Sequence, residues 1–265
     1  MRCPDNVCDM MPANATNRFS SRVDDYIKYR PGYPDAIVAL FNEACGLTAR
    51  SIIADIGSGT GIFAEQFLKH GTTVFGVEPN QDMRLAAERL QLPYSKFHSV
   101  AGTAEATTLP DNCADFITVA QAFHWFDRES ARREFQRILK PGGWVALVWN
   151  ERIVESSLFL QDYERLLQTY GTDYRQVDHR QVDERVIADF FKPHAVDMAR
   201  FPNRQEFDFD GLKGRLLSSS YTPEPGNKNY EPMLRELDGI YRKYAVNGRV
   251  IFEYDTKVFY SRWTA

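Results

Sequence analysis

The stretch Ala54-Asp55-Ile56-Gly57-Ser58-Gly59-Thr60-Gly61, followed seventeen positions later by Glu78, decides how this chain folds. It begins directly after the apolar pair Ile52-Ile53 and runs into Ile62-Phe63-Ala64-Glu65-Gln66-Phe67-Leu68, whose apolar positions have helical spacing. A buried strand, a glycine turn and a helix, in that order, make the first half of a βαβ nucleotide-binding unit. Gly71 to Val77 supplies the next turn and strand, which places Glu78 at a carboxyl end. A carboxylate there can accept hydrogen bonds from both hydroxyls of a ribose.

The glycine spacing selects the ligand. A dinucleotide fingerprint starting at Gly57 and Gly59 needs its third glycine at position 62, which is Ile62; the glycine stands at 61 instead. A pyrophosphate also requires free backbone N–H groups at the helix start. The pattern Asp55-x-Gly57-x-Gly59-x-Gly61 with a distal acid resembles the first motif and ribose acid of class I S-adenosylmethionine-dependent methyltransferases with a methyltransferase type 11 domain. That resemblance implies an α/β fold: a Rossmann-like, doubly wound, mostly parallel seven-stranded sheet with helical cap insertions. It also implies S-adenosyl-L-methionine as cofactor, contacted by Asp55, Gly57, Ser58, Gly59, Gly61, Glu78, Pro79 and Met83.

Bulk properties set the remaining bounds. A chain of 265 residues can bury a full core, and one domain with insertions is the simplest division. The net charge of −4 is built from interspersed acids and bases, without the basic field a nucleic-acid partner would want. The longest apolar runs, such as Trp144 to Trp149, have strand length and are too short to span a bilayer. Met1 to Thr16 has no apolar core of a signal peptide. The expectation is therefore a tail over 1–16, a single domain over 17–265, a cytoplasmic setting without membrane or nucleic-acid partner, and a monomer or homodimer. Cys3, Cys8, Cys45 and Cys113 form neither a CxxC pair nor a metal-ligand spacing, so reduced thiols and no metal are expected.

Strand and helix signals alternate through the first half. Helices are predicted over Phe19–Tyr29, Pro34–Cys45, Gln81–Leu90 (capped by Asn80) and Glu129–Leu139. Strands are predicted over Ser51–Asp55, Thr73–Val77, Lys96–Val100, Asp115–Gln121 and Trp144–Trp149. Lys140-Pro141-Gly142-Gly143 reads as a helix stop and tight turn. Later come helices over Leu158–Tyr170, Gln181–Phe191, Gly211–Ser218 and Tyr230–Tyr244, and strands over Ala195–Phe201 and Arg249–Ser261. The two helices after the fifth strand make too long a connection for an ordinary crossover and are expected to cap the sheet's carboxyl edge. Cap elements are thus placed near 17–33, 151–194 and 209–247.

Further segments extend the resemblance. Gly102-Thr103-Ala104-Glu105 resembles the family's adenine-contacting segment, which implies base contacts for Ala104 and Glu105. Tyr26 to Pro34 resembles the N-terminal Tyr-Arg-Pro segment of small-molecule methyltransferases. There Arg30 offers a fork of donors suited to the cofactor's carboxylate, and Tyr26 and Tyr29 can close over the site. Gln121-Ala122-Phe123-His124-Trp125-Phe126-Asp127 stands where nucleobase methyltransferases carry Asn/Asp-Pro-Pro-Tyr/Phe, and most resembles the trans-aconitate methyltransferase-like branch. Later, Gly214 to Tyr221 and Tyr254 to Val258 resemble segments of the same branch that approach the acceptor. Together these imply that Gln121 borders the cofactor, that His124 and Trp125 stand by the transferred methyl, and that a small-molecule acceptor is held by His124, Trp125, Arg215 and Tyr221.

An activated sulfonium needs mainly orientation and exclusion of water for in-line displacement. A hydroxyl or amine acceptor would also need a base, for which His124 is best placed; a carboxylate needs none. Two other classes stay open on the residues alone, a nicotinamide-dependent oxidoreductase and a non-catalytic S-adenosylmethionine-binding module.

Overall fold

The computed structural model describes residues 23–172, 174 and 184–264. The expected tail over 1–16, the start of the first predicted helix, Cys3, Cys8 and residues 181–183 of the helix predicted from Gln181 lie outside them.

Seven strands form one sheet: β1 (Ile52–Ile56), β2 (Thr73–Val77), β3 (Phe97–Val100), β4 (Ala114–Ala120), β5 (Leu139–Arg152), β6 (Asp197–Phe207) and β7 (Val250–Arg262). Their order is β3-β2-β1-β4-β5-β7-β6. The pairs among β1 to β5 are parallel, and only β7, lying between β5 and β6, is antiparallel to its neighbours. The order reverses beside β1, so a crevice opens between the carboxyl ends of β1 and β4.

The helices are α1 (Val23–Tyr29), α2 (Ala36–Cys45), α3 (Ala64–Lys69), α4 (Gln81–Leu90), α5 (Arg128–Ile138), α6 (Leu158–Tyr170), α7 (Glu184–Phe191), α8 (Phe209–Leu217) and α9 (Tyr230–Tyr244). Local chemistry sets several starts. The Asn80 side chain accepts from the Met83 N–H at 2.9 Å, Asp127 caps α5, Ser157 caps α6 and Asp208 caps α8. Lys140 to Gly143 does not end the chain's run as a separate turn. The register passes from Ala114–Leu139 to Phe116–Trp144, so these residues bulge within one continuous strand.

Three apolar clusters result. One face of the sheet buries Ile53, Val74, Phe116 and Val148 against Phe41 of α2 and Phe67 of α3. The opposite face buries Ile117, Val145 and Leu147 against Phe135 of α5 and Phe190 and Phe191 of α7. The third cluster joins α6, α8 and α9 to Phe207 of β6 and to Phe252 and Tyr254 of β7. The cap expectation therefore divides. Helix α6 belongs to the helical layer, whereas α7 covers the sheet: the Phe190 ring lies 4.7 Å from Phe123 and 5.9 Å from Trp263. Helical periodicity gave α7 an apolar face but could not say which core it meets.

Candidate functional site

Strand β1 delivers Asp55 to the crevice and the chain turns sharply at Gly57, whose φ is +67°. A side chain there would also drive its Cβ to 2.6 Å from that of Ala122. The N–H groups of Gly57 and Ser58 donate to the Val77 carbonyl, at 2.8 and 3.1 Å, and that of Gly61 to the Ser58 carbonyl at 2.9 Å. The Gly59 N–H donates to Glu78 Oε2 at 3.0 Å. With these donors engaged, the loop is not a cradle for a pyrophosphate. Glu78 Oε1 accepts from the Asn80 N–H at 2.9 Å, and burial raises the carboxyl's pKa. A carboxylate offers about four lone-pair sites, so acceptor capacity for hydroxyl donors is left.

Asp55 is 1% exposed. Its Oδ1 accepts from Thr118 Oγ1 at 2.8 Å, while its buried Oδ2 has no partner. Burial pushes the carboxyl up to about 7; the Thr118 hydrogen bond opposes this and the charge of Glu78 adds to it. Across the crevice, Gln121 ends β4 in the left-handed region at φ +56°, held by its N–H to the Val148 carbonyl and its Nε2 to the Asn150 carbonyl. A non-glycine residue held in that region is a common mark of a functional site. The next residues form a short 3₁₀ turn, Phe123–Trp125: Phe123 is fully buried, which turns His124 and Trp125 to the cavity.

One cavity runs from this loop to the helical layer. It brings together Tyr26, Arg30, Asp55, Gly57, Ser58, Gln121, His124, Trp125, Arg215 and Tyr221 from the sequence-predicted set. Gly59, Gly61, Glu78, Pro79, Met83, Ala104 and Glu105 do not line it. Gly61 packs on Gln91, Met83 and Ala104 are buried in the domain, and Glu105 Oε1 accepts from the Asp127 N–H at 2.9 Å. Tyr29 does not close over the site. Its ring lies against Gly214, where an added Cβ would fall 2.0 Å from a ring carbon, and it joins the helical cluster.

The cavity also holds Tyr33, Ser220 and Tyr254, from segments that carry the resemblance, and three residues the sequence reading passed over: Asn150, Arg152 and Tyr174. Asn150 and Arg152 extend the apolar strand Trp144–Trp149 past its carboxyl end, the one local signal that could have drawn attention to them. Arg152 Nη2 donates to Glu164 Oε2 at 2.6 Å and to the Tyr174 hydroxyl at 3.1 Å. The N-terminal segment is pinned by side chains from three strands. Asn150 and Asn203 both donate to the Gly32 carbonyl, at 3.1 and 2.8 Å, and Thr256 donates to Asn150 Oδ1 at 2.6 Å.

A mostly parallel sheet with this crevice, glycine loop and terminal acid defines a nucleoside-binding α/β fold. Residues 54–147 match the methyltransferase domain family. An uncharacterized methyltransferase-like protein of Schizosaccharomyces pombe is 33% identical over 229 residues, 84% of this chain and 85% of that protein. An uncharacterized methyltransferase of Mycobacterium tuberculosis is 39% identical over 134 residues, and the chain spans about half of its length. Among solved structures, a candidate type II methyltransferase of Anaeromyxobacter dehalogenans superposes with a TM-score of 0.63 at 19% identity, over 88% of this chain and 98% of that one. The chain belongs to the methyltransferase family: it is an S-adenosylmethionine-dependent methyltransferase with a Rossmann-like fold. The oxidoreductase and non-catalytic alternatives fall with that membership.

Proposed function

We propose that this enzyme transfers the methyl group of S-adenosylmethionine to an oxygen of a small acidic metabolite, as the resemblance to the trans-aconitate methyltransferase-like branch implies. The observation that carries this reading is Arg215. It is 5% exposed and lines the cavity, and among the described residues it has no carboxylate partner. The hydrogen bonds of its guanidinium go to neutral groups, Ser219 Oγ at 3.2 Å and the Tyr254 hydroxyl at 3.4 Å. A buried cation without a counterion is costly, so an anionic ligand is its natural complement.

The cofactor fits the other half of the cavity. Asp55, with an orphaned buried oxygen, would receive the cofactor's cationic amino group, and Glu78 its ribose hydroxyls. Bound S-adenosylmethionine supplies a methyl already activated on a sulfonium. The chain's own residues would then orient the acceptor and keep water out. Arg215 and Tyr221 would hold an acidic group of the acceptor, while His124 and Trp125 would flank its reacting oxygen. A carboxylate oxygen needs no proton removed; for a hydroxyl, His124 is the base candidate.

The remaining expectations stand within the same proposal: a cytoplasmic enzyme, monomeric or a homodimer, without nucleic-acid or membrane partner. None of the described helices is long and apolar enough to cross a membrane. The test is S-adenosylhomocysteine release over a panel of small mono-, di- and hydroxy-acids, with amines and tRNA as competitors. Turnover with an acid and none with tRNA is expected; preference for tRNA or a protein side chain would overturn the acceptor assignment.

A further inference from the structure

Arg30 and Arg215 reach the cavity from two elements, the first from the chain after α1 and the second from the last turn of α8. Both are tied to consecutive residues of one turn. Arg30 Nη2 donates to the Ser218 carbonyl at 2.9 Å, and Arg215 Nη1 to Ser219 Oγ at 3.2 Å. The two guanidiniums are close enough that, after burial, the charge of Arg215 is the main influence lowering the pKa of Arg30. Neither has an ion pair with a described residue. Arg30 Nε is buried without a partner, and the other face of the group lies on the Tyr26 ring at 4.9 Å. The third arginine of the cavity differs: Arg152 is paired with Glu164 at 2.6 Å.

Two like charges held together away from water repel each other, and an anion between them relieves that repulsion. We infer that Arg30 and Arg215 form one clamp that grips a single acidic group of the methyl acceptor, so that Arg30 serves the acceptor and not the cofactor's carboxylate. This deepens the acceptor reading given above and rests on it. The clamp would have a second effect. Its two halves come from the N-terminal segment and the helical layer, so an acid bound between them joins those elements across the cavity.

The test separates acceptor from cofactor. S-adenosylhomocysteine affinity is measured by calorimetry for the wild type, Arg30→Gln, Arg215→Gln and the double variant. Stabilisation by inorganic sulfate, which needs no knowledge of the acceptor, is measured in the same proteins by thermal shift at low ionic strength. The clamp predicts product affinity within about threefold of wild type for Arg30→Gln. It also predicts loss of the sulfate shift in either single variant with no further loss in the double, because both charges act on one anion. Arg30→Lys and Arg215→Lys keep the charge and control for folding. Product affinity lowered tenfold or more by Arg30→Gln, with the sulfate shift intact, would return Arg30 to the cofactor and end the proposal. A sulfate shift that depends on both arginines in an enzyme that methylates no small acid would leave the clamp standing and remove the acceptor reading. Methylation of a small acid with unchanged KM in Arg30→Gln would do the reverse.

Discussion

Asp55 carries its proton to a higher pH than an exposed carboxyl does, from an ordinary 3.8 up to about 7. A carboxyl whose pKa is raised by folding favours the folded state while protonated. That contribution is complete below about pH 3.8 and is lost as pH rises through about 7. A cationic ligand beside it favours the ionised form. S-adenosylmethionine affinity should therefore rise between pH 6 and 8, with proton release visible by calorimetry in buffers of different ionisation enthalpy. Asp55→Asn keeps the acceptor for Thr118, should flatten that dependence, and should raise the free protein's melting temperature at pH 8. An unchanged pH slope in the variant would place the titrating group elsewhere. His124 makes a different demand. A residue beside the acceptor acts mainly in the transition state, so His124→Ala should cut kcat by about tenfold or more while cofactor affinity stays within about threefold. Steady-state kinetics beside calorimetry would show a cofactor role if affinity fell instead.

Among the elements, α7 and α8 test what the packing does. Phe190 of α7 is 4% exposed among Phe123, Phe135 and Trp263, so Phe190→Ala should cost about 3–5 kcal/mol in denaturant unfolding. A cap helix over an open edge would lose far less. Gly214 of α8 meets the Tyr29 ring, so Gly214→Ala must displace that ring from its place in the helical cluster and should cost about 1–3 kcal/mol. It should also raise the acceptor's KM, because Arg215 is the next residue on that helix; unfolding and kinetics together check both. The βαβ unit was legible in sequence because its signals are local: the apolar run, the glycines and Glu78 all lie within one stretch. Asn80 as a cap was legible for the same reason. Asn150 and Arg152 were not, because each reaches the cavity from the end of a strand whose neighbours are distant in the chain. The partner of α7 was hidden likewise, since periodicity reports a face and not what covers it. The bulge at Lys140–Gly143 was half visible: its residues announce a turn, and only the register with β4 shows the strand running through it.

Across the whole molecule the cavity is a seam between the sheet and the helical layer, crossed by the N-terminal segment. Hydrogen exchange should slow at 26–33 and in α6 when S-adenosylhomocysteine and an acid are both bound, and remain unchanged in α7. Equal protection of α6 and α7 would mean that the two helices respond as one lid. The seam also bears on how such enzymes could be recombined. Strand β7 belongs to both sides: Val250, Phe252 and Tyr254 pack in the helical layer, whereas Val258 and Phe259 pack against the sheet's own helices. Thr256 stands between the two sets and holds Asn150. A chimera that imports another relative's acceptor preference must therefore be cut inside this strand, near Thr256, and not at the loops that border it. Joined at the loops, the grafted helices would meet a foreign half-strand; joined at Thr256, they would bring their own wall.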